Sequence, residues 1–156
     1  MLLAAAMLFA AAAGGVALLS GYGWPDPVPA AIDADDPVQV ALGRRLYGEW
    51  CAGCHGANLE GQPNWRSRRP DGRLPAPPHD ASGHTWHHAD GMLFRITRDG
   101  TSAVVGGDYE TDMPGFGGVL SDTEIRATLA FIKSTWSERE RGVQERQSRL
   151  EREAAR

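Results

Sequence analysis

The stretch EWCAGCHGANL, residues 49–59, constrains this chain more than any other. Cys51 and Cys54 lie two residues apart, and His55 follows directly. They are the only cysteines in 156 residues. Three chemistries use such a pair: a redox dithiol, half of a zinc site, or the attachment point of a haem. A zinc site built from paired cysteine motifs needs a second pair, and a disulfide framework needs more cysteines than two. The thioredoxin-type dithiol follows a strand and opens a helix in a βαβ pattern. Here a helical pattern precedes the cysteines and no alternating strand follows. In the haem reading, the two thiols add to the porphyrin vinyl groups, and the adjacent histidine becomes the proximal iron ligand.

The company of the motif favours that reading. Asp36-Pro37 is a helix start, an N-cap acceptor followed by proline at the first helical position. Val38, Leu42, Leu46 and Trp50 then recur at helical spacing, and this helix runs into Cys51. Residues 56–112 show little periodicity, apart from a short helix expected over residues 89–97. A sixth iron ligand should come from far along the chain. DMPGFGGVLSDTEI supplies Met113, whose thioether suits haem iron and raises its potential. Met92 also carries a thioether, but it sits beside Leu93 on the expected helix and reads as core. Ser121 to Glu124 form a capping box that opens a last apolar helix with Ile125, Leu129, Ile132 and Trp136 on one face. The remaining tail, SERERGVQERQSRLEREAAR, is polar and mixed in charge, which reads as a charged helical or frayed segment in water.

A helix with GRRLY ahead of CAGCH, then MPGF, then a helix with LAFI resembles a class I c-type cytochrome of the monohaem CxxCH type. The resemblance covers about residues 37–136 and is poor between 60 and 112. It implies a mostly α fold: a small cytochrome c-like helical domain wrapped around one covalently bound haem c. It implies Cys51 and Cys54 as the covalent attachment, with His55 and Met113 as axial ligands. It also implies a crosswise contact of the first and last helices, where Gly43 and Phe131 stand. A haem clamped in this way would supply interior that a loop-rich chain, with Gly 19 and Pro 10, does not build for itself.

The N-terminus adds a compartment. Leu2–Leu19 is an uncharged apolar run of nearly bilayer-spanning length, compatible with a signal peptide or an anchor helix. The flank after it lacks Lys and Arg, so the remainder is expected outside. The expected organisation is a signal peptide or transmembrane anchor at 1–23, a Pro/Asp-rich linker at 24–36, the haem domain at 37–136 and the charged tail at 137–156. Attachment of haem outside the cytoplasmic membrane, as the resemblance implies for bacteria, agrees with a periplasmic-side protein, anchored or released. Redox proteins are the expected partners. The net charge of −4 without a basic stripe argues against nucleic acid.

With both axial positions filled as the resemblance implies, the chain is expected to be a single-electron carrier and not an enzyme. The alternatives are a haem enzyme or ligand sensor with a labile sixth ligand, or a cytochrome subunit of a larger dehydrogenase or oxidase. Several residues remain open at this level. His79, His84, His87 and His88 suit either copper or a polar loop beside the haem. Arg66, Arg68 and Arg69 suit propionates or docking. Any of Pro75, Pro77 and Pro78 could offer the carbonyl that orients His55.

Overall fold

The computed structural model describes residues 31–156, and these contain helices and loops without a strand. The expected signal or anchor at 1–23 and residues 24–30 of the expected 24–36 linker lie outside the described residues. Among the described residues, no helix is long and apolar enough to cross a membrane.

Helix α1, Pro37–Trp50, starts where the sequence signals it. The Asp36 carboxylate accepts from the amides of Val38 and Gln39, two of the donors a helix start leaves without partners. The buried face overlaps only in part with the expected one: Leu46 is buried and Leu42 packs on the core, as their spacing suggested, but the two ends of the stripe are not inside. Val38 is 77% exposed and Trp50 45%, while Gln39, Gly43, Leu46 and Tyr47 are buried. Gln39 is inside because its amide holds the preceding chain: it accepts from Asp33 N at 2.8 Å and donates to Ala31 O at 3.1 Å.

Gly43 is inside because α5, Asp122–Ser134, crosses there. A Cβ on Gly43 would collide with the Ala127 carbonyl and lie 2.9 Å from Phe131 Cβ. This is the crosswise contact expected of Gly43 and Phe131. The capping box at Ser121 and Glu124 opens α5, and its apolar face is closed to water, with Ile125 0%, Leu129 4% and Ile132 4% exposed; Trp136, expected on the same face, lies past the end of the helix and is 5% exposed. Each such side chain contributes roughly 1.5–3 kcal/mol by burial.

Between α1 and α5 lie α2, Ala52–His55, a long irregular segment, a 3₁₀ turn at Thr85–His87, α3, Asp90–Asp99, and α4, Thr101–Val105. Helix α3 lacks a side-chain cap of its own. The charged tail supplies one. It forms helix α6, Glu138–Ala154, which docks instead of fraying. Its inner stripe is polar: Glu140, Gln144 and Ser148, all buried. Ser148 Oγ accepts from Asp90 N and Glu151 Oε2 from Gly91 N, both at 2.9 Å, so α6 caps α3. The Glu151 carboxylate also complements the positive end of the α3 dipole. Behind it, Lys133 Nζ pairs with Asp90 Oδ1 at 2.9 Å, and Gln144 Nε2 donates to the same oxygen at 2.8 Å.

Two outcomes are expected in denaturant unfolding. Gly43→Ala should destabilise by about 1–3 kcal/mol or more, because the added methyl meets backbone and not a movable side chain. Gly48→Ala, in the same helix with no atom within 4 Å, should be neutral or stabilising. The double change Ser148→Ala, Glu151→Gln should cost about 1–2 kcal/mol, the typical range for a lost cap, with faster amide exchange at Asp90 and Gly91.

Candidate functional site

Helix α1 delivers the cysteines. Cys51 is its C-cap, its amide donating to Tyr47 O at 2.9 Å, and one further helical turn ends at His55. Cys51 and His55 are buried and Cys54 is exposed. Both thiols are free. Burial, with a smaller contribution from Cys54, pushes the Cys51 thiol up to about 11. A reactive dithiol needs the opposite shift, so the redox-dithiol reading has no support here.

The loop after His55 is folded back on it. Gly61 N donates to His55 O at 2.8 Å, and Tyr47 Oη donates to Gly56 O at 2.8 Å. Gly61 has φ +68° and lies against the Pro77–Pro78 backbone, where a Cβ would come within 2.7 Å of Pro77 C. That approach decides among the three prolines. His55 Nδ1 donates to Pro77 O at 2.8 Å. Burial lowers the His55 pKa, partly opposed by this hydrogen bond. The ring is therefore neutral near pH 7, with Nδ1 engaged and Nε2 as its other nitrogen, the form in which histidine ligates a metal.

His79, open between copper binding and a polar loop in the sequence, lies against His55. The two rings stack, centroids 4.1 Å apart and 22° from parallel. His79 Nδ1 lies 2.8 Å from Thr85 Oγ1, and the His79 carbonyl accepts from Trp136 Nε1 at 2.7 Å. The other histidines pair with neighbours: His84 stacks on Trp65, His87 on Trp86, and His88 meets His84 edge-on. Among the described residues, no group of three potential ligands could hold a metal ion.

Met113 is partly buried and packs on the core cluster that contains Cys51, Leu46, Leu59 and Phe116. Its loop is tied to the end of α3: Phe116 N donates to Thr97 O at 2.9 Å and Gly117 N to Arg98 O at 2.8 Å. Trp50, next to Cys51, meets Phe116 edge-on at 6.4 Å between centroids. The two distant stretches thus come together through aromatic side chains flanking them. Met92 departs from the expectation of a core residue: it is only partly buried, and its sulfur lies 3.9 Å from Arg95 Nη2. The arginines also find other company. Arg66 lies over Trp65, Arg68 donates to Gly72 O, and Arg69 pairs with Asp112.

The donor set fits a covalently held haem. A buried neutral imidazole and a thioether are haem-iron donors, two thiols precede the imidazole on the same helical turn, and Leu46, Leu59 and Phe116 provide apolar wall. Neither the curated proteins nor the solved structures yield a match to the chain. The family model for cytochrome c matches residues 40–136, from within α1 through Trp136. That is more than half of the chain, and the chain belongs to the cytochrome c family, as a class I c-type cytochrome with covalently bound haem.

Proposed function

We propose that this cytochrome c domain is a monohaem electron carrier in which Cys51 and Cys54 form the thioether links and His55 and Met113 are the axial ligands of the iron. The haem supplies a one-electron ferric–ferrous couple when bound. The observation that carries the assignment is the Nδ1–H of His55 held by the Pro77 carbonyl at 2.8 Å. It fixes the tautomer and presents Nε2 as the donor. The stacked His79 ring limits rotation of the same imidazole. Met113 stands at the end of a loop whose far side is anchored to α3, which presents a soft, weakly donating sulfur that favours the reduced state. With both positions taken, no site is left for a substrate, so the protein carries electrons and does not catalyse turnover of a bound molecule.

The composition of the N-terminal run supports a place of action outside the cytoplasmic membrane. Leu2–Leu19 would carry the domain to the periplasmic side of a bacterial cytoplasmic membrane, either as a retained anchor or as a cleaved signal. Redox proteins in that compartment are the partners this reading implies.

Acid–acetone should leave the haem on the purified protein, because thioethers survive unfolding; extraction of free haem would contradict the Cys51 and Cys54 assignment. Met113→Ala should abolish the weak near-infrared sulfur–iron charge-transfer band of the oxidised protein, lower the potential and admit carbon monoxide to the ferrous form. A wild-type protein with no such band and a low potential would point to a second histidine instead. A phosphatase fused after Trp136 should be active on the periplasmic side, and activity confined to the cytoplasm would contradict the placement.

A further inference from the structure

The two sides of the Met113 loop are held in different ways. On the C-terminal side, two backbone hydrogen bonds from Phe116 and Gly117 to the end of α3 hold it, at 2.9 and 2.8 Å. On the N-terminal side, the residue before the methionine is Asp112, and its carboxylate receives two arginines. Arg69 Nη2 pairs with Asp112 Oδ2, and Arg73 Nη1 lies 2.7 Å from Oδ1. Both arginines sit on one tight turn, closed by Arg69 N to Arg73 O and by Gly72 N to Arg69 O, each 2.9 Å. Arg73 Nε is also 3.7 Å from Glu110 Oε2, and Arg69 Nε 3.7 Å from Asp71 Oδ1. The turn belongs to the segment that ends at Pro77, whose carbonyl holds His55. One stretch of chain, residues 62–77, therefore touches the neighbourhoods of both candidate ligands.

We infer that Arg69, Arg73 and Asp112 are positioning residues, an ionic clasp that keeps the Met113 thioether at its post and limits how often the sixth position opens. The inference rests on Met113 being the sixth ligand. The clasp touches neither haem nor substrate; it acts through the residue next to the ligand. Its chemistry sets its strength. The side chains are part-exposed, Arg69 37%, Arg73 40% and Asp112 47%, so each pair contributes modestly and is screened by salt. Two arginines on one carboxylate, in separate positions, still give more geometric definition than one flexible pair. The backbone bonds on the other side of the loop respond little to salt. The loop should therefore open from its Asp112 side, and ionic strength should tune the opening.

The test compares full-length haem-loaded wild type, Asp112→Asn, the double variant Arg69→Gln/Arg73→Gln, and Asp71→Asn, which removes a nearby negative charge but keeps the side-chain oxygen that accepts from Arg73 N at 3.0 Å and so preserves the turn. Three readouts are followed: the sulfur–iron band with temperature, helix circular dichroism in the same samples, and carbon monoxide binding to the ferrous protein. The clasp predicts that Asp112→Asn and the double variant bind carbon monoxide about 3- to 10-fold faster than wild type, the range expected for one or two part-exposed pairs. It predicts that their band fades at lower temperature while the helix signal stays near that of wild type. Asp71→Asn should behave like wild type. Raising salt to about 1 M, where the screening length shrinks to about 3 Å, should move wild type toward the variants and leave Asp112→Asn nearly unchanged. Carbon monoxide rates within twofold of wild type would overturn the clasp, as would band and helix signals that fall together. A wild-type protein with no band and open access to carbon monoxide would overturn the ligand assignment itself, and the clasp with it.

Discussion

Helices α1 and α5 approach so closely at Gly43 that a single added methyl would strike the Ala127 carbonyl. The remaining organisation hangs on that crossing. Helix α1 runs directly into Cys51, and α5 begins nine residues after Met113, so the crossing sets where the two ends of the site start. The contact of Trp50 with Phe116 completes it from the other direction. A crossing built on a missing side chain tolerates little variation in distance, because backbone cannot move aside as a side chain can. The crossing holds the start of the Cys51 turn, whereas Met113 stands on a loop with supports of its own.

Around this frame, the two candidate ligands are supported by different physics. His55 is buried, hydrogen-bonded by a carbonyl and stacked on another imidazole. None of these contacts depends on ionic strength. Met113 has an apolar side, through the core cluster, and a charged side, through Asp112. Arg69 and Arg73 hold the Asp112 carboxyl below the usual range, so it remains an anion at neutral pH. Helix α6 extends the support: it caps α3, and the C-terminal carbonyls of α3 hold the methionine loop. The polar tail is thus connected to the site through one helix.

Much of this was legible because it is local. Asp36-Pro37 and the Ser121–Glu124 capping box announce their helices through contacts between residues two or three apart, and the Cys51–Cys54–His55 spacing announces its chemistry. What the sequence hid depends on partners far along the chain. The apolar spacing placed Leu42 and Leu46 on the inner face of α1 but wrongly added Val38 and Trp50, because the face is completed by the smallest residue, Gly43, and by a glutamine with two backbone partners. Helix α6 reads as a solvated segment because its buried stripe is polar; its acceptors serve amides of Asp90 and Gly91 near the start of α3, nearly sixty residues earlier. Pro77 could not be told from Pro75 or Pro78 until Gly61 showed which carbonyl comes close. The arginine run at 66–73 and the aspartate before Met113 were both visible, but nothing in either stretch pairs them.

The most direct measurement is the proton spectrum of the reduced, diamagnetic protein. A methionine on the iron places its terminal methyl over the face of the macrocycle, where ring current moves it far upfield of every other resonance. The account predicts one three-proton signal in that region that disappears in Met113→Ala and persists in Met92→Ala. An empty upfield region in wild type, or a signal that survives Met113→Ala, would contradict it.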